Sequence, residues 1–182
     1  MVQGTSENAA HRIAKNGFGT VATLDHGYYG QGMYLTSRMA YAAGYAYNAV
    51  KDEKGKPLVF VVCLVIPGNP LPISEPPHTE NQQPNPTGFL GKPCWPGYES
   101  HYTTVDVSGD PLKEPHTAVS PDELVVFSPS QVLPLFLVYT DRHSEFSMAL
   151  SLVSFFVVDV AKIAQLFYLF IYFFFWSFCR KP

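Results

Sequence analysis

Residues 28–46 read YYGQGMYLTSRMAYAAGYA, from Tyr28 to Ala46. The stretch changes character twice. Tyr29–Gly30–Gln31–Gly32 closes a glycine-rich loop over 19–32, where Gly19, Gly27, Gly30 and Gly32 all fall. Met33–Thr36 then reads as a short strand, and Ser37 as the N-cap of a helix over about 38–48. Tyr41 and Tyr45 stand four apart on that helix and share a face. Upstream, Ser6 caps a helix running to about Lys15. Ala9 with Ile13 and Ala10 with Ala14 form its small apolar stripe, and Asn16–Gly17 is its stop.

Downstream, Asp52–Pro57 is a charged turn. Leu58–Ile66 (LVFVVCLVI) is an unbroken apolar run rich in β-branched residues. It fits a strand buried on both faces and is too short to span a bilayer. Between Pro67 and Ser100 there are nine prolines, a density that excludes a regular helix or a central strand. Three further strands are expected at 101–107, 123–127 and 131–139, with Pro134 marking an edge or an irregularity in the last.

The 182 residues carry 12 Lys+Arg against 15 Asp+Glu, so no basic excess points to nucleic-acid binding. Three cysteines, Cys63, Cys94 and Cys179, an odd number with no short spacing, argue against a disulfide framework and a Cys-rich zinc site, and no metal is expected. The chain opens on polar residues without an apolar leader, which points weakly to a reducing, cytosolic-side setting. Composition breaks after His143. Nine of the 14 Phe lie between Phe146 and Phe178, and Ile163–Cys179 holds no charge before Arg180–Lys181. The chain therefore divides into a domain, 1–143, and an apolar tail, 144–182, with a candidate transmembrane helix at about 163–179. A read-through extension is the competing account of the tail.

Four local signals carry chemistry: Gln3–Gly4–Thr5–Ser6, the Tyr29–Tyr34 block, Tyr45 eleven residues after Tyr34, and Asp122–Glu123 opening an apolar strand. Each is weak alone. In order, with GYESHYTTV and ELVVFSPSQVLPLFLVY following, they resemble the catalytic domain of poly(ADP-ribose) polymerases and their mono-ADP-ribosylating relatives over about residues 2–140. The match is strongest in the aromatic–Gly–x–Gly–x–Tyr block and in the Glu123 strand, where Gln131, Pro134 and Leu137 keep the family's spacing.

The resemblance implies an α+β fold of split, mainly antiparallel sheets with short helices around an NAD cleft, here followed by the C-terminal apolar helix. It implies transfer of ADP-ribose from NAD, as substrate, to a protein or nucleic-acid acceptor with release of nicotinamide. It assigns Tyr34 and Glu123 to the family's His–Tyr–Glu triad and Tyr45 to the ring that stacks on nicotinamide. Gly4 falls on the glycine whose backbone binds the nicotinamide amide, and the missing side chain is read as room for the ring. Thr5 takes the neighbouring hydroxylated position. A carboxylate suits the chemistry, because breaking the nicotinamide–ribose bond builds positive charge on the sugar. Glu99 and His101 resemble the loop before the last strands and receive no catalytic role.

Two departures stand out. Gln3 occupies the triad His position, and Ala42 replaces a hydroxylated partner of the nicotinamide amide. They keep two alternatives open: an inactive module that binds NAD or ADP-ribose, and a truncated, non-functional fragment whose first strand should extend upstream. The retained Glu without the His leans toward single ADP-ribose units. The expected setting is a cytoplasmic-side or nuclear domain, anchored to a membrane if the tail inserts. Oligomeric state and acceptor identity are not legible.

Overall fold

The computed structural model describes residues 1–20, 27–53, 55–74, 88–106, 109–112, 120–140 and the strand 154–157. In chain order the elements are β1 (Val2–Thr5), α1 (Glu7–Asn16), β2 (Met33–Leu35), α2 (Met39–Val50), β3 (Leu58–Val65), β4 (Pro70–Pro72), β5 (Ser100–Thr104), β6 (Asp122–Val126), β7 (Val132–Thr140) and β8 (Ser154–Val157). Short 3-10 turns at Phe18–Thr20 and Pro129–Gln131 complete them. Two four-stranded sheets result, ordered β1-β3-β7-β8 and β2-β6-β5-β4. Every pairing is antiparallel except β4 with β5. The expected α+β class of split, mainly antiparallel sheets therefore holds.

The run at 58–66 is apolar on both sides because each side meets a different core. Val59, Val61 and Cys63 pack with Ala10 and Ile13 of α1, with Met33 and Leu35 of β2, and with Leu124 and Val126 of β6. Leu58 and Phe60 point the other way, against Ala42, Ala46 and Val50 of α2. Burial ends just before the strand does: Leu64, within β3, and Ile66, just past it, are exposed. A third cluster, Tyr29, Ile73, Val105 and Val125, covers the other face of the second sheet. The two-residue period of β6 thus sends Leu124 and Val126 into the first core and Val125 to the opposite face.

Helix α1 begins and ends as its sequence indicates. Ser6 accepts from the Ala9 N–H, and Gly17 (φ 74°) donates its N–H to Ile13 O. Helix α2 departs from expectation. Its N-cap is Arg38, and no side chain there caps it. The Ser37 N–H donates instead to Asp122 Oδ1 (2.7 Å), and the Arg38 N–H to Thr36 Oγ1 (3.1 Å). Thr36 Oγ1 itself donates to Asp122 Oδ1 (2.9 Å). A buried carboxylate 85 residues away thus holds the chain just ahead of the helix. Beside it, Val2 and Thr36 exchange backbone hydrogen bonds of 2.8 and 2.9 Å, a bridge between the two sheets.

Two other expectations are refined. Pro134 lies opposite Cys63, where the β3–β7 register shifts, and β8 reaches only Phe136–Tyr139. The proline thus sits at an irregularity, where its missing N–H costs no ladder bond. The prolyl segment after β3 contributes one short strand, β4, whose Ile73 neighbour is buried. Where the tail is described it is a strand, β8, paired to β7. The C-terminal apolar helix expected at about 163–179 lies outside the described residues, among which no helix is long and apolar enough to cross a membrane.

Asp122→Ala removes a buried acceptor shared by a hydroxyl and a backbone N–H. It should lower unfolding free energy by about 1.5–3 kcal/mol, read as a reduced urea midpoint. Asp122→Asn, which keeps an acceptor, should cost less.

Candidate active site

Strand alternation aims the site. In β2, Met33 and Leu35 enter the first core, so Tyr34 faces the other way. In β6, Glu123 shares the face of Val125, the register partner of Tyr34. The sheet bridge brings β1 alongside. Around the junction lies a cavity of about 400 Å³, within the range of small-molecule sites. Gln3 and Gly4 line it from β1, Tyr34 from β2, Tyr41, Ala42 and Tyr45 from α2, and Glu123 from β6. The structure thus gathers Gln3, Gly4, Tyr34, Tyr45 and Glu123 at one hollow. Thr5, at the end of β1, is not in its wall.

Glu123 is 5% exposed. Its Oε1 accepts from the Tyr41 hydroxyl at 2.6 Å and from the Tyr45 hydroxyl at 3.0 Å. The two rings meet edge to face, with centroids 5.5 Å apart. Burial, followed by these hydrogen bonds, pushes the Tyr41 phenol far above its ordinary range, so it stays protonated and donates. Tyr45 is 51% exposed and presents ring surface to solvent. Tyr41 was not singled out from sequence as a site residue. Its signal was there: a Tyr pair at i,i+4 on a helix entering beside Tyr34.

Tyr34 contributes its ring to the wall and its hydroxyl to the backbone. The hydroxyl accepts from the Tyr29 N–H (2.7 Å) and donates to Gly30 O (2.8 Å). The glycine-rich loop is thereby tied to the strand that follows it. Gly30 has φ 116°, and a Cβ there would meet the Phe127 ring at 2.7 Å, so both backbone and space demand glycine. The loop also reaches across the cavity mouth. The Tyr28 hydroxyl donates to Asp110 Oδ1 (2.7 Å) and the Tyr29 hydroxyl to Gly109 O (2.6 Å). Desolvation, then the Asp110 hydrogen bond, raises the Tyr28 phenol to about 12.

Gly4 is required for a reason other than the expected one. A Cβ at Gly4 would collide with the backbone carbonyl of Ala42 and lie 2.9 Å from Ala46 N. The missing side chain makes room for helix α2. Gln3 lines the cavity with its Oε1 buried and without a hydrogen-bond partner.

His101 is fully buried and outside the cavity wall. Its Nδ1 lies 2.7 Å from Tyr29 O, and its Nε2 accepts the Trp95 N–H at 3.0 Å. Since a carbonyl can only accept, the proton is on Nδ1, and the neutral ring props the Tyr28–Tyr29 segment. Desolvation lowers its pKa. Burial raises the Cys63 thiol to about 12, consistent with an inert core cysteine. Among the described residues no group of three or more His, Cys, Asp or Glu could hold a metal.

The profile of the poly(ADP-ribose) polymerase catalytic domain matches residues 2–141. The chain belongs to this family of NAD-dependent ADP-ribosyltransferases. Among curated proteins, none matches it.

Gly4→Ala should destabilise the fold by about 1–3 kcal/mol, through overpacking between β1 and α2, seen as a lower melting temperature without ligand. For His101, stability should be fully present above about pH 6.5, the unfolded-state value. It should fall as pH drops through the lower folded-state pKa, because the unfolded chain then binds the proton more readily. Melting curves from pH 7.5 to 5 should slope more steeply for the wild type than for His101→Phe.

Proposed function

We propose that residues 1–143 transfer ADP-ribose from NAD to a macromolecular acceptor, with Glu123 as the catalytic carboxylate. The carrying observation is the buried Glu123 carboxylate, held by two neutral phenols, in the same cavity as Gly4 and Gln3. Neutral donors orient a carboxylate without cancelling its charge. A fixed anion in a water-poor pocket stabilises the cationic sugar that forms as nicotinamide departs.

The remaining residues bind and orient. The Tyr34 ring, immobilised through its hydroxyl, and the exposed Tyr45 ring are flat surfaces for the nicotinamide. The Gly4 backbone serves the amide, Gln3 Oε1 accepts a ribose hydroxyl, and Thr5 supports β1. As the bond breaks, its electron pair leaves with nicotinamide, and the acceptor nucleophile attacks the ribose carbon and gives up its proton. Transfer of single units to a protein or nucleic-acid acceptor is the form the site residues favour.

Purified protein should release nicotinamide from NAD, and Glu123→Gln should lower kcat by about 10²–10³-fold, as for loss of other preorganised electrostatic groups. Equal rates in the two proteins would exclude this mechanism. Gln3 and Ala42 favour one second reading, a module that binds NAD or ADP-ribose without turnover. Calorimetric NAD binding with no nicotinamide release in either protein would select it.

A further inference from the structure

Tyr41, a residue that the motif positions leave without a role, donates a 2.6 Å hydrogen bond to Glu123. Tyr41 and Tyr45 converge on the same oxygen, Oε1, but under different conditions. Tyr45 is half exposed and its bond is the longer, 3.0 Å against 2.6 Å. Tyr41 is partly buried, packs against the cluster of Tyr29, Ile73, Val105 and Val125, and stands in the first turn of α2. That turn is itself fixed, through the Thr36–Asp122 contacts, to the residue preceding Glu123.

We infer that Tyr41 is the positioning residue of the site, its phenol locking the Glu123 carboxylate. The inference rests on the proposed transferase reading and adds a residue to it. Tethers run from α2 and the residues just before it to the start of β6: Thr36 Oγ1 and the Ser37 N–H to Asp122, and the Tyr41 and Tyr45 hydroxyls to Glu123. Together they fix the carboxylate relative to the helix in both translation and rotation. A stacking ring must adjust to its ligand, whereas a charge-stabilising carboxylate must not move. Of the two phenols that reach Glu123, Tyr41 makes the shorter bond from the less exposed position, and so is the one suited to the second duty. The Tyr41 phenol stays protonated because burial and the adjacent carboxylate both oppose its ionisation.

Tyr41→Phe keeps the ring and its edge-to-face packing and deletes the hydroxyl. In full-length protein assayed for nicotinamide release, kcat should fall by about 10- to 100-fold, as expected for a displaced catalytic group. KM for NAD should stay within about threefold, because Tyr41 acts through Glu123 rather than on the ligand. In a Glu123→Gln background the same change should cost less than about twofold, since a positioning residue has nothing left to position. An unchanged kcat in Tyr41→Phe overturns the inference and leaves the transferase reading standing. So does an equal loss in the Glu123→Gln background, which would mark a general structural role. A wild type that releases no nicotinamide overturns both.

Discussion

Helix α2 lies directly on the backbone of β1. Gly4 permits this, since any side chain there would meet the Ala42 carbonyl. The small faces of Ala42 and Ala46 complete the fit, both fully buried against Phe60 of β3. With the helix this close, its first two turns overhang the gap between the sheets, and Tyr41 and Tyr45 reach Glu123. A helix displaced outward by one methyl group would carry both phenols off the carboxylate. The glycine of the first motif and the acid of the last are therefore linked through packing rather than through a shared ligand alone.

The site is built almost wholly from neutral hydrogen-bond donors around acids. Glu123 is held by phenols. Asp122 is held by a hydroxyl and a backbone N–H, and Asp110 by the Tyr28 phenol. Among the described residues of the cavity wall there is no lysine or arginine. This leaves a negative potential at its base, suited to a sugar that becomes cationic and unsuited to a phosphate.

Sequence reading located most strands and both helices because their signals are local. The cap at Ser6, the stop at Gly17, the nine-residue apolar run and the Glu-led strand each specify a conformation over a few residues. It misjudged the start of α2 because a serine before a helix looks like a cap, whereas here the Ser37 N–H goes to Asp122, distant in the chain, and the helix begins at Met39. It read no strand at 154–157, where aromatic richness masked a segment that pairs with β7. It also read Gly4 as space for a ligand when the space is filled by a helix.

By itself the sequence determined most of the elements in their order, and the family. These follow from periodicity and from motifs a few residues long. Only the tertiary structure decided that Tyr41 holds Glu123, that Thr5 stays out of the wall, that His101 is a buried prop, and that the Gln3 oxygen is left without a partner. Each of these depends on distances between residues far apart in the chain. Such distances are set by how closely helices and sheets can pack, which no local pattern encodes.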